Sequence, residues 1–167
     1  MEEPQNFAGR PLLAMNDYAP KDDALIIAEA IRLVNEGVSV SFPVNGRSML
    51  PFIVGGRDSV ILEKPTHLRR GDIVLASVKT SQHGLHYVVH RIVALDSDSV
   101  TLMGDGNLAL RELCNRNDIH AKVIYVVKPN GKKLPQSAFY SLVAAKIWYI
   151  LLPFRRYLLW IYNKVKK

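Results

Sequence analysis

His86-Tyr87-Val88-Val89-His90-Arg91-Ile92-Val93-Ala94-Leu95 is a β-rich run, and Asp96-Ser97-Asp98 after it is a turn. Ser99-Val100-Thr101-Leu102-Met103 follows as a second strand. The pattern continues outward on both sides. It predicts strands at 38–44, 59–63 and 72–78 before this pair and at 121–128 after it. Asn130-Gly131 fits a type I′ hairpin turn and allows a last short strand at 132–134. Several short strands, punctuated by turns and with no helix between them, predict a mainly β fold. The expected form is a coiled, barrel-like antiparallel sheet.

The flanks differ from this middle. Pro4, Gly9, Pro11 and Pro20 make residues 1–20 a loose arm. A helix is expected over 22–36. Asp22 or Asp23 can cap it, Leu25, Ala28, Ile31 and Leu33 supply apolar positions, and Gly37 supplies the stop. The organisation is therefore an N-terminal arm and helix (1–37), a β domain (38–136) and a basic amphipathic helical tail (137–167). At 167 residues and 49% hydrophobic content the chain is one domain, or one domain with an appendage, and can bury a real core. Cys114 is the single cysteine, so no intramolecular disulfide forms; the expectation is a small buried filler.

The net charge is +7, and its location decides what it means. Residues 139–167 contain Lys146, Arg155, Arg156, Lys164, Lys166 and Lys167 and no acid, so the rest of the chain is nearly neutral. A basic tail rich in apolar side chains points to anionic lipid, and nucleic acid is not an expected partner. The uncharged stretch 147–154 is too short to span a bilayer, and Lys146 at mid-membrane would cost about 3 kcal/mol. One or two interfacial helices, with Trp148 and Trp160 in the lipid and Arg155 and Arg156 among headgroups, are expected in place of a span. This predicts peripheral membrane association through the tail, with the cytoplasmic face favoured. The N-terminus, Met1-Glu2-Glu3-Pro4-Gln5-Asn6, is acidic and polar and reads as neither a secretory signal nor a membrane anchor.

Two features carry chemistry. Asn45-Gly46-Arg47-Ser48-Met49-Leu50-Pro51-Phe52 puts a hydroxyl nucleophile just after a glycine, at the mouth of a β-type segment. His90 puts an imidazole inside an apolar strand, where a polar group is costly without a task. Ser and His are the two parts needed for hydroxyl-based acyl transfer. His67, His83, His86 and His120 do not combine with Cys114 at a recognised metal spacing, and neither metal nor cofactor is expected.

Four blocks, in order, resemble the signal peptidase family and its relatives, the self-cleaving LexA-like repressor peptidases. Gly46-Arg47-Ser48-Met49-Leu50-Pro51 is similar to the family's Ser-Met-x-Pro nucleophile box. Arg70-Gly71-Asp72-Ile73-Val74 is similar to its Arg-Gly-Asp-hydrophobic strand. Val89-His90-Arg91-Ile92-Val93 stands where bacterial signal peptidases carry a base lysine, and Met103-Gly104-Asp105-Gly106-Asn107 resembles the Gly-Asp-x-Asn box. A histidine at the base position is similar to the endoplasmic-reticulum-type branch, which also occurs in bacteria. The resemblance covers roughly residues 38–128.

The resemblance implies a serine endopeptidase acting on a peptide or preprotein, with Ser48 as nucleophile and His90 as general base. Asp105 is then either the carboxylate that fixes the His90 tautomer or a support for the site, while Asp58 and Asp72 read as turn or structural acids. The Ser48 N–H serves as an oxyanion donor. The family's second donor residue is replaced by Gly46, so that donor is Gly46 or another backbone N–H. Substrate would dock as an extended strand beside 41–46, with Pro43, Val44, Asn45, Gly46 and Met49 around it. Two other readings compete. A self-cleaving regulator would need a DNA-binding module, and residues 1–37 offer one helix and a neutral surface, too little for it. A catalytically idle membrane-docking or peptide-binding module is distinguished only by an activity assay.

Overall fold

The computed structural model describes residues 12–14, 23–80, 84–107, 109–136 and 164. Expectations for Trp148, Arg155, Arg156 and Trp160 lie outside the described residues. Among the described residues no helix is long and apolar enough to cross a membrane.

Among the described residues nine strands form one sheet: β1 Leu12–Ala14, β2 Ser39–Pro43, β3 Ser59–Glu63, β4 Ile73–Thr80, β5 Gly84–Leu95, β6 Ser99–Met103, β7 Glu112–Asn115, β8 Ile119–Val127 and β9 Lys133–Pro135. The helix α1 spans Asp23–Asn35. It stops as its sequence dictates: Gly37 N–H reaches the Val34 carbonyl at 3.0 Å and Val38 N–H the Leu33 carbonyl at 3.0 Å, closing a Schellman-type end. The order across the sheet is β1-β2-β3-β8-β4-β5-β6-β7, with β9 also on β8. Every pairing is antiparallel except β1 on β2, which is parallel.

The sheet is mainly antiparallel, as expected, and it is not closed into a barrel: the pairing path is open, ending at β1 and β7. β8 joins the parts of the sheet. Its start pairs with β4 (Ala121 opposite Leu75), while its later part pairs with β3 (Tyr125 opposite Ile61) and with β9 (Val126 opposite Leu134). Register shifts at Ile61/Leu62 and Leu75/Ala76 interrupt its ladders with β3 and β4, irregularities of the kind that bend a strand.

Burial explains why β4 is apolar without alternation: Ile73 through Val78 are all buried. Ile73 and Leu75 enter one core, with Ala30 and Val34 of α1, Val40, Val60, Leu62 and Val123. Val74, Ala76 and Val78 enter a second core on the other face, with Ile92, Val100, Leu102 and Ile119. A strand covered on both faces reads as a continuous hydrophobic run. Cys114 belongs to the second core, where its thiol donates to the Val100 carbonyl at 3.8 Å and burial pushes its pKa up to about 11.

The loop between β2 and β3 is held from beneath by Asp58, whose carboxylate is fully buried. Burial raises its pKa, but Arg57, Lys128 at 2.6 Å and the Val54 N–H at 2.9 Å outweigh that and hold it at about 2. The folded pKa lies below the unfolded one, so this stabilisation is present above about pH 4 and is lost as pH falls towards 2. It amounts to roughly 2 kcal/mol. Denaturant titrations at pH 5 and pH 2.5 should show the wild type losing more stability than Asp58→Asn between the two conditions. Equal losses would remove Asp58 from this role.

Candidate active site

The four sequence blocks converge at the end of β2 and the start of β6's exit loop. After Pro43 the chain closes a loop: Val44 N–H donates to the Asp58 carbonyl at 3.3 Å, and Gly56 N–H to the Val44 carbonyl at 2.8 Å. Gly46 has φ +83°, and Gly55 lies so close to it that a side chain there would overlap the Gly46 main chain. The turn that follows is built by Leu50 N–H to the Arg47 carbonyl (3.2 Å) and by Phe52 and Ile53 N–H to the Met49 carbonyl (3.1 and 3.0 Å). None of these bonds uses the Ser48 N–H. The Leu50–Pro51 peptide is cis. Met49 and Ile53 are buried and anchor the turn, leaving Ser48 half-buried between them and solvent.

The Gly104-Asp105-Gly106-Asn107 loop packs directly on the Ser48 main chain. Gly106 N–H donates to the Ser48 carbonyl at 2.7 Å. A methyl group at Gly104 would stand 2.5 Å from the Ser48 carbonyl oxygen and 3.1 Å from His90 Nε2; one at Gly106 would stand 2.7 Å from the Arg47 carbonyl oxygen. The glycines are thus required by close approach of two backbones. The same geometry brings the Ser48 main chain and the His90 ring to one point.

His90 is buried on β5, and its other ring nitrogen is occupied. Nδ1 lies 2.5 Å from Glu112 Oε2, at the start of β7. Glu112 is buried as well; burial raises its pKa, yet the contacts with His90 and His86 leave it lowered, so the group is a carboxylate at neutral pH. A carboxylate accepts only, so Nδ1 carries a proton, and in the neutral ring Nε2, beside Gly104 and near the Ser48 main chain, is the nitrogen left with a lone pair. His86 Nε2 stands 3.8 Å from the other Glu112 oxygen.

Asp105 does not supply this carboxylate. Its oxygens accept from Arg91 Nε (2.8 Å) and from the second arm of the guanidinium (2.7 Å), both side chains being buried. The third arm of Arg91 donates to the Gly71 carbonyl at 2.8 Å, and its charge lies 5.8 Å from the Phe52 ring. Gly71 N–H and Ile92 N–H complete the join, donating to the Ile92 and Asp72 carbonyls at 2.8 Å each. Arg91 therefore ties the glycine-rich loop to the Arg-Gly-Asp turn, and Asp105 supports the site through it. Asp72 is buried against Lys122 at 2.8 Å and caps the Arg69 N–H, a structural acid like Asp58.

The expected substrate-contact set also divides. Val44 and Met49 are buried, with their side chains in the first core. Pro43 is half-buried, and Asn45 and Gly46 are exposed beside the turn. Glu112 is the residue that sequence reading missed. Its signal was an acid between Arg111 and the strand residues Leu113 and Cys114, and only pairing shows what it faces. β6 lies between β5 and β7, with Ile92 opposite Leu102 and Leu102 opposite Glu112. A register shift between Ile92 and Ala94 lies two residues beyond His90. Bulges of this kind re-aim side chains next to sites.

Among the described residues no group of three His, Cys, Asp or Glu is placed to hold a metal ion. Comparison with protein-family models, curated proteins and solved structures finds no match.

Proposed function

We propose that the chain is a serine endopeptidase of the signal-peptidase type, with Ser48 as nucleophile, His90 as general base and Glu112 as the acid that orients it. The observation that carries this reading is the line Glu112 to His90 Nδ1, with His90 Nε2 turned to the Gly104–Ser48 contact. In the proposed cycle the Ser48 hydroxyl attacks a peptide carbonyl while His90 takes its proton. The Ser48 N–H, which no turn bond uses, stabilises the tetrahedral oxyanion. Collapse gives an acyl-enzyme as imidazolium protonates the leaving amine, and Glu112 offsets the positive charge formed on the ring. Water, deprotonated by His90, then releases the acyl group and restores Ser48.

Covalent labelling by a serine-directed acylating probe is the direct test. Wild type should be labelled and Ser48→Ala should not; equal labelling, or none of the wild type, would count against a nucleophilic Ser48.

The basic segment 139–167 would carry this activity to an anionic membrane surface. Full-length protein should co-sediment with vesicles containing anionic lipid, weaken with salt and fail to bind when truncated after Leu134. Protein left in the supernatant at low salt would make the tail a structural element.

A further inference from the structure

We infer that the N-terminal strand β1 is a built-in occupant of the edge on which an extended peptide would reach Ser48. The observation is the parallel pairing of Leu12, Leu13 and Ala14 with Ser39, Val40 and Ser41. Among the described residues β2 has β3 on one side and only these three residues on the other. The same strand runs without a break into Val44, Asn45, Gly46 and the Ser48 turn.

The peptide groups of β2 show what this edge offers. Val44 uses its N–H and its carbonyl towards the β3 side. Alternation along a strand then turns Ser41 and Pro43 to the outer side. Ser41 offers a donor and an acceptor there, and Pro43 only a carbonyl, since it has no N–H. β1 covers the donor-bearing part at Ser39–Ser41 and stops short of Pro43. Because the pairing is parallel, β1 points along β2 towards Ser48, so a peptide adding to this edge in the same sense would run towards the nucleophile. The two strands compete for the same row of backbone groups. A tethered strand competes at a high effective concentration, so it holds the edge against weak peptides and yields to strong ones.

The proposal rests on the peptidase reading for why a peptide should approach Ser48, but its test uses binding alone. The probe is a fluorescent peptide with the sequence of residues 10–18, and the proteins are Ser48→Ala chains, which cannot consume it. Removal of residues 1–16, or the single change Leu13→Pro in the full chain, should tighten binding at least tenfold by fluorescence anisotropy. Addition of the peptide to the full chain should also speed hydrogen exchange at Leu13, whose N–H faces β2 in this register. Equal affinity in all three proteins would overturn the inference. So would loss of the folded state in both altered chains, which would make β1 a structural strand. Tighter binding on truncation, with no cleavage by a Ser48-intact chain, would leave this inference standing and remove the peptidase reading.

Discussion

Ser48→Ala and His90→Ala should each abolish peptide cleavage, lowering kcat by on the order of 10⁴-fold or more. The double variant should lose little beyond either single one, because a nucleophile without its base and a base without its nucleophile are equally idle. The expectation comes from the meeting of His90 Nε2 and the Ser48 main chain at Gly104. Residual cleavage would reflect oxyanion stabilisation and substrate positioning alone. Losses that multiply in the double variant would show two independent contributions. Near-wild-type turnover by either single variant, with an unchanged thermal transition, would end the assignment.

Glu112→Gln should lower kcat by about 10³- to 10⁴-fold while leaving the fold in place. The amide keeps the volume of the carboxylate but not its charge, and its NH₂ can donate to Nδ1, which would put the ring proton on the wrong nitrogen. Glu112→Asp keeps the charge on a shorter arm and should retain part of the activity. Asp105→Asn provides the contrast. It leaves the buried Arg91 guanidinium without its carboxylate, and breaking such a pair costs roughly 3–5 kcal/mol. Its main effect should therefore appear in the denaturation midpoint, whereas that of Glu112→Gln should appear in kcat. If Asp105→Asn were stable but inactive and Glu112→Gln active, the roles of the two acids would be reversed.

The sequence by itself determined the elements whose signals are local. Strands at 59–63 and 99–103 coincide with β3 and β6, and the Gly37 stop ends α1 where its bonds form. Ser48 and His90 stand out in the sequence because a hydroxyl just after a Gly-Arg pair and an imidazole in an apolar strand are unusual within a few residues. The four blocks could be read in order, but not that Arg91 binds three of them together.

Tertiary structure decided what depends on strand neighbours. β1 and β7 are three and four residues long, too short for a periodic pattern to register. Glu112 stands 22 residues from His90, and its role exists only because β6 aligns both strands across a register shift. Asp105 carried the more conspicuous motif, yet pairing puts Arg91, not His90, against it. Val44 and Met49 flank the nucleophile in sequence and lie in the core in space, because the turn must be anchored by the side chains nearest to it. Local chemistry thus singled out Ser48 and His90. Long-range pairing, which no short window encodes, put Glu112 against His90 and β1 along β2.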